Sequence, residues 1–296
     1  MSASTATAGS PHERHPLQNP LGSFLLPAGF HRPRALEVLR ESSVVLEAGR
    51  CAVGSIEERR RRWVSSYAAA EPRTDDPVIL VPGFMAGDLT LRTLSRTLRG
   101  RGFRTYRSHI HANVGCTLAA ADELERRIES IAIRRESRVR IVGHSLGGLL
   151  ARGLAVRRPD LISGIVTMGS PMLAPGAHHV LLSSSVDVLV RLSRAGVPGL
   201  MSEECVAGSC ARQSFQESRE PMPAGVSFTA IYSRRDGIVD WRACVDPEAR
   251  AVEVTASHVG MALDPRVSAL VTEALRLPGR GAVGLSVLEV DSGESA

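Results

Sequence analysis

Short apolar runs alternate with helical apolar patterns along the chain between residues 77 and 275. Continuous runs of Val, Ile and Leu are typical of strands that are covered on both faces. The predicted strands lie at residues 78–81, 104–108, 139–142, 162–168, 226–232 and 252–254. Apolar residues recur at helical spacing between them, over residues 89–98, 119–133 and 264–275. This alternation predicts an α/β fold, a mostly parallel central sheet with helices on both faces.

The same pattern separates one main domain, residues 77–278, from its flanking segments. In an open parallel sheet, reacting groups collect at the carboxyl ends of the strands. Outside the main domain we expect a disordered tail over 1–20, a helical extension over 21–76 and a second tail over 279–296. The extension contains two helical patterns, at residues 34–48 (amphipathic) and 55–69. We expect the extension to have no separate function.

The α/β pattern is interrupted at about residues 172–225, which predicts an insertion after the carboxyl end of a strand. Its clearest element is a helical pattern over 178–194 with one apolar stripe. Such an insertion would cap the carboxyl edge of the sheet. A core-facing helix and a mobile lid both fit this pattern.

Composition excludes some classes of function. Apolar residues make up 43% of the 296-residue chain, enough for a large core, and the formal net charge is +5. Every basic residue is arginine, and the arginines are interleaved with Asp and Glu instead of forming a basic, aromatic-rich stretch. The composition therefore argues against a nucleic-acid partner. The densest cluster, residues 57–62, is interpreted as a solvated helix face with i,i+4 ion pairs.

The hydrophobic pattern predicts neither a signal peptide nor a transmembrane segment. The first 19 residues have no apolar stretch typical of a signal peptide, and no apolar run is long enough for a transmembrane segment. We therefore expect a cytoplasmic protein. The five cysteines form an odd set, for which reduced thiols are the default, whereas a Cys205–Cys210 disulfide would indicate export.

The strongest chemical motif is Gly143-His144-Ser145-Leu146-Gly147, which fits G-x-S-x-G between a β-branched strand and an apolar helix. A serine on so sharp a turn has strained backbone angles, and its neighbours two residues away must lack bulk. The turn also places the hydroxyl at a helix N-terminus, where N–H groups and the helix dipole favour negative charge. This is a suitable place for a nucleophile.

A serine hydroxyl needs a histidine as its base and a carboxylate to orient that histidine. The chain offers Ser145, Asp236 and His258 in that order, each after a predicted strand, as expected when the nucleophile follows such a turn. Asp240 is the alternative acid. His144 is rejected as the base because it is adjacent to the serine and should point away from it.

An oxyanion hole requires two N–H donors. We expect one at Leu146, directly after the serine, and the other at Phe84 in the loop after the first strand, with Met85 as the alternative. No metal constellation is visible, since His109/His111 and His178/His179 lack partners at ligand spacing.

The sequence resembles the α/β-hydrolase superfamily, and more narrowly bacterial lipase- and esterase-like serine hydrolases. The resemblance covers about residues 77–275. It rests on Val-Pro-Gly-Phe at 81–84, Gly-His-Ser-Leu-Gly-Gly at 143–148, Met-Gly-Ser-Pro at 168–171 and Tyr-Ser-Arg-Arg-Asp-Gly-Ile-Val at 232–239. It implies the α/β-hydrolase fold and hydrolysis of acyl esters through an acyl-serine intermediate, without a metal or organic cofactor. Many relatives have His-Gly where this chain has Pro82-Gly83.

The expected substrate is a small-molecule or lipid ester, and the apolar insertion favours a lipid-like acyl group. Two alternatives remain open at this point. An acyltransferase would use the same three residues and pass the acyl group to an alcohol or amine. A non-catalytic binding protein would keep the fold without turnover.

Overall fold

A six-stranded, wholly parallel sheet forms the centre of the computed structural model, which describes residues 21–53 and 76–278. The strands are β1 Pro77–Val81, β2 Arg104–Arg107, β3 Val139–His144, β4 Ile162–Met168, β5 Ser227–Ser233 and β6 Arg250–Val254. Their order in the sheet is β2-β1-β3-β4-β5-β6, and each neighbouring pair is parallel. The predicted fold class is confirmed.

Helices cover both faces of the sheet. They are α1 (residues 44–53), α2 Arg92–Gly100, α3 Thr117–Arg135, α4 Leu146–Arg157, α5 Val180–Arg194, α6 Glu203–Val206, α7 Ser209–Glu217 and α8 Pro265–Ala274. Alternate residues of β1 enter different cores: Ile79 packs with α3 and α4, and Leu80 packs with α2 and α8. Burial on both faces is the reason that the strands are continuously apolar.

Strand order reverses between β1 and β3. The chain passes from β1 outward to β2, then returns to β3 on the other side and continues to β6. Ligands of open α/β sheets bind at the carboxyl ends of the strands beside such a switch point. Ser145 follows β3 directly, and the loop after β1 begins at Pro82. The fold therefore places the candidate serine and the candidate oxyanion loop side by side.

The N-terminal extension differs from the prediction in which side chains it buries. A 3₁₀-helix, Ala35–Ser43, precedes α1, so helical structure over 34–48 is correct. Its expected apolar face is not buried, since Leu36 and Leu39 are 77% and 66% exposed, whereas Glu47 is 1% exposed. The carboxylate is buried because it accepts hydrogen bonds from a loop of the main domain. The predicted tails 1–20 and 279–296 and helix 55–69 lie outside the described residues.

Residues 172–225 contain α5, α6 and α7. Val186 and Val190 of α5 pack with Met201 and Val206 in a small apolar cluster of their own. All five cysteines are free thiols, including Cys205 and Cys210 of this segment. None of the helices in the described ranges combines the length and apolarity that crossing a membrane requires.

A buried ion pair joins α4 to the loop after β5. Arg152 is 2% exposed, and its Nε donates to Asp246 Oδ2 at 3.2 Å. The same guanidinium donates to the carbonyl of Glu220 and lies over the ring of Phe228. A second carboxylate, that of Glu248, lies 3.6 Å from Nη2 but is 34% exposed. Arg152 cannot lose its charge, so removal of Asp246 leaves a buried cation with only this partly exposed carboxylate to compensate it.

We expect Asp246→Ala to lower the free energy of unfolding by about 3 kcal/mol, measured by denaturant titration, which is the low end for a broken buried pair because Glu248 still faces Arg152. The control is Asp187→Ala, which breaks the exposed i,i+4 pair with Arg191 on α5. That change should cost no more than about 0.5 kcal/mol. Equal effects of the two substitutions would contradict the role given to the buried pair.

Candidate active site

Ser145 occupies a strained turn between β3 and α4. Its φ of 52° and ψ of −120° are unusual for a residue with a side chain. The flanking glycines are required because a side chain at either position would clash with the backbone. A Cβ at Gly143 would lie 2.4 Å from the carbonyl oxygen of Gly147, and a Cβ at Gly147 would lie 2.2 Å from the carbonyl oxygen of Val81. The backbone fixes the serine at the N-terminus of α4, where the first N–H groups have no helical partner.

Asp236 and His258 are joined at the carboxyl ends of β5 and β6. The distance from His258 Nδ1 to Asp236 Oδ2 is 2.7 Å, and both residues are 5% exposed. The other carboxylate oxygen accepts N–H bonds from Ile238 and Val239 at 2.8 and 2.9 Å. Gly169 fits against the pair, since a Cβ there would lie 3.0 Å from His258 Nδ1. The carboxylate is therefore held firmly while it orients the imidazole.

The electrostatics of the pair favour a proton on His258. Burial opposes the charged imidazole, but the negative charge and hydrogen bond of Asp236, together with the charge of Glu41, raise the pKa of His258 above its usual value. Because Asp236 Oδ2 can only accept, Nδ1 carries the proton in the neutral ring. Nε2 is then the basic nitrogen.

Asp240, the alternative acid, has other partners. Its Oδ1 accepts from the backbone and side chain of Arg242, and its Oδ2 accepts from the backbone N–H of His31. Asp240 therefore caps a 3₁₀-helix, Trp241–Cys244, instead of orienting the histidine. The hydrogen-bond partners of Asp236 and Asp240 therefore distinguish the roles of the two carboxylates.

His144 holds the loop of His258 through a hydrogen bond to its backbone. Its Nε2 donates to the backbone carbonyl of His258 at 2.9 Å, and the two ring centroids are 4.9 Å apart. Burial, with the neighbouring charge of His258, lowers the pKa of His144 to about 4. His144 is therefore neutral at pH 7 and serves as a hydrogen-bond donor.

Ser145 lies at the same edge of the sheet as the Asp236–His258 pair, one residue after His144. No hydrogen bond joins the Ser145 hydroxyl to His258 within residues 21–53 and 76–278. Hydrogen bonds between a nucleophile and its base are often long in the free enzyme and shorten when substrate binds. The structure thus brings Asp236 and His258 into contact and places Ser145 at the same edge of the sheet.

The loop after β1 supplies the candidate oxyanion donors. Met85 N–H already donates to the carbonyl of Asn113 at 3.2 Å, whereas the N–H groups of Phe84 and Leu146 have no carbonyl partner among the described residues. Asn113 also donates its Nδ2 to the carbonyl of Pro82 and its N–H to that of Ala86. The geometry favours Phe84 over Met85, and Asn113 holds the loop in place.

An apolar cavity of about 130 Å³ opens beside Ser145. It is bounded by the extension, the loop after β1, α4 and the insertion; its apolar lining includes Leu21, Leu25, Phe84, Leu149, Leu182, Val186, Val206 and Phe215. No acidic residue or arginine of the described ranges lines it. Burial lowers the pKa of His178, another lining residue, to about 4, so it too is neutral at pH 7. The cavity suits an uncharged, apolar group.

The described residues contain no group of three or more His, Cys, Asp and Glu side chains arranged to hold a metal ion. His109 and His111 are in the loop after β2, and His178 and His179 precede α5. His179 accepts from Leu181 N–H and thereby caps α5.

Sequence reasoning missed three residues that hold the site together: Asn113, Glu41 and Glu47. Asn113 carried a weak signal, since it lies in the loop after a predicted strand. The two glutamates carried none, because acidic residues on an amphipathic helix are ordinarily solvated. Both glutamates accept backbone N–H groups more than 190 residues away in sequence, and Glu47 also accepts the hydroxyl of Ser257.

Residues 76–204 match the family model for the α/β-hydrolase fold. The mature lipase of Bacillus licheniformis has a similar structure, with a TM-score of 0.53, 13% identity and coverage of 70% of this chain and 93% of that chain. A metagenomic carboxyl esterase gives a TM-score of 0.52 and 15% identity over 69% of this chain and 76% of its own. A soluble variant of the Saccharomyces cerevisiae monoglyceride lipase gives 0.50 and 14% over 70% and 86%. At these identities the similarity shows the fold.

Asp236→Asn should lower the pKa of His258, because the carboxylate stabilises the protonated ring and the amide does not. An NMR titration of the imidazole measures the change. Asp240→Asn is the matched control and should leave this pKa where it is. An unchanged His258 pKa in Asp236→Asn would contradict the role given to Asp236, and a larger fall in Asp240→Asn would assign that role to Asp240.

Proposed function

We propose that this chain, a protein of the α/β-hydrolase fold, is a serine hydrolase that cleaves carboxylic esters with an apolar acyl group. The observation that carries the proposal is the buried Asp236–His258 pair at the same sheet edge as a serine held in a strained strand-to-helix turn. Family resemblance and the names of the structural neighbours, two lipases and an esterase, point to the same chemistry.

In the first half of the reaction, Ser145 Oγ attacks the ester carbonyl while His258 Nε2 takes its proton. Asp236 stabilises the imidazolium through Nδ1–H. The negative charge that develops on the carbonyl oxygen is stabilised by two N–H groups, that of Phe84 in the loop after β1 and that of Leu146 at the N-terminus of α4. Collapse of the tetrahedral intermediate breaks the bond to the alkoxy oxygen. His258 gives this oxygen its proton, and the alcohol leaves an acyl group on Ser145.

In the second half, water replaces the alcohol. His258 takes a proton from the water as its oxygen attacks the acyl carbonyl, and the oxyanion forms at the same two donors. Collapse then breaks the bond to Ser145 Oγ, which regains a proton from His258. The products are the carboxylic acid and the free serine, with no change in oxidation state.

The substrate class follows from the cavity beside Ser145. Its apolar lining and lack of charged side chains favour a hydrocarbon acyl chain over a polar or charged one. Residues of the insertion and of the extension line it, so both segments contribute to acyl selection.

A fluorophosphonate probe tests the nucleophile. We expect the purified protein to be labelled and to release acid from p-nitrophenyl esters, and Ser145→Ala to lose both properties while it stays folded. The control Ser184→Ala, whose side chain only bonds within α5, should behave as the wild type. A folded wild type that is neither labelled nor active would favour a binding protein. Acyl transfer to an added alcohol in place of acid release would favour a transferase.

Substitution of Leu182, a cavity residue on α5, tests the acyl pocket. Leu182→Trp should fill part of the cavity and reduce kcat/KM for octanoyl esters relative to acetyl esters by about 10-fold or more. The control is Leu192→Trp. Leu192 is on the same helix, but it is 43% exposed and does not line the cavity, so this variant should keep the wild-type ratio. If Leu182→Trp leaves the ratio unchanged, the acyl chain binds elsewhere.

A further inference from the structure

The extension reaches the candidate active site through the carboxylate of Glu41. One oxygen, Oε1, accepts the backbone N–H groups of Gly237 and His258, each at 3.0 Å. The other oxygen, Oε2, accepts the N–H of Val259, also at 3.0 Å. One side chain thus binds the residue after the candidate acid and the backbone of the candidate base.

The surrounding packing keeps Glu41 in this position. A Cβ at Gly237 would lie 2.3 Å from the carbonyl oxygen of Glu37, so the 3₁₀-helix and the acid loop are in close contact. Further along the extension, Glu47 accepts the N–H of Ser257 at 2.8 Å and its hydroxyl at 2.7 Å. Arg50 pairs with Asp264, which caps α8. The extension is therefore attached on both sides of the histidine.

We propose that Glu41 is a positioning residue for His258, because its carboxylate joins the loop of Asp236 to the loop of His258 through three backbone hydrogen bonds. The proposal rests on the proposed function in that it takes His258 as the base. It assigns the extension a role in the chemistry of the site beyond the expected one of a helical appendage. Loss of this contact would let the two loops move apart, and small displacements of a catalytic group have large effects on rate.

The charge of Glu41 adds a second effect that a purely structural contact would lack. Within the described part of the chain, the charged and titratable groups that act on the His258 ring are Asp236 from the loop after β5, Glu41 from the extension and the neutral His144 from the end of β3. Burial disfavours the imidazolium, and both carboxylates favour it, so both raise the pKa of His258. Glu41 therefore helps to stabilise the positive charge that forms on His258 during attack.

The experiment compares Glu41→Gln with Glu37→Gln. Glu37 lies on the same 3₁₀-helix, but among the described residues its side chain bonds only to Arg34 and Arg40. Glu37→Gln therefore removes a nearby charge without touching either loop. In Glu41→Gln we expect kcat to fall by up to about 100-fold. KM should be nearly unchanged, since Glu41 does not line the cavity.

The pH profile separates this role from simple stabilisation. The base must be neutral, so kcat/KM rises with pH through the pKa of His258. Removal of the Glu41 charge lowers that pKa, and the acid limb of the profile should move to lower pH in Glu41→Gln and stay in place in Glu37→Gln. Glu41→Asp keeps the charge but shortens the side chain. Its kcat should therefore fall, while the acid limb of its pH profile should shift less than that of Glu41→Gln.

An NMR titration of His258 makes the test independent of turnover. A lower imidazole pKa in Glu41→Gln than in the wild type, with no change in Glu37→Gln, supports the proposal even if the protein hydrolyses no ester. The proposal is overturned if folded Glu41→Gln has the wild-type His258 pKa and kcat, or if Glu37→Gln causes the same changes. If Glu41→Gln does not fold, a wild-type kcat in Glu41→Asp would overturn it.

Discussion

The hydrogen bond between Asp236 Oδ2 and His258 Nδ1 is the contact on which the chemistry of the site depends. It is buried, and it fixes the tautomer of the imidazole, so that the basic nitrogen is the one not bonded to the acid. The pair exists because parallel strands end at one edge of the sheet, which brings loops from β5 and β6 together although they are separated in sequence. Sheet topology thus creates the electrostatic environment of the site.

Around this pair, several side chains form hydrogen bonds with the backbone of the loops. His144 donates to the carbonyl of His258, and Glu41 accepts its N–H. Asn113 has the corresponding role on the opposite side, where it fixes the loop that contains Phe84. Catalytic loops have few apolar contacts of their own, so polar contacts to buried or semi-buried side chains are the means by which a rigid geometry is obtained.

Local sequence patterns were enough to predict the parts of the molecule that depend on local physics. The strands were visible because burial on both faces requires continuous apolar runs, and Ser145 was visible because its turn excludes bulky neighbours at Gly143 and Gly147. The sequence favoured Asp236 but kept Asp240 as the alternative acid, since both follow β5 within one loop. Only the observed hydrogen bonds separate an orienting carboxylate from a helix cap.

Contacts over long sequence distances explain what could not be predicted. Glu41 and Glu47 are on an amphipathic pattern that ordinarily indicates solvated acids, and their partners become known only when the chain is folded. The sequence favoured Phe84 over Met85 as the second oxyanion donor only by position, and the hydrogen bond from Met85 N–H to the carbonyl of Asn113 supports the same order. In each case the deciding partner is a backbone group, which has no signature in the sequence.

A crystal structure of the protein after reaction with an alkyl phosphonate tests the central claim most directly. The account predicts phosphorus bonded to Ser145 Oγ, the phosphoryl oxygen within hydrogen-bond distance of the N–H groups of Phe84 and Leu146, and the alkyl chain in the apolar cavity. His258 Nε2 should face the serine oxygen while Nδ1 stays on Asp236. Phosphorus on another residue, or a His258 ring that points away from the adduct, would contradict it.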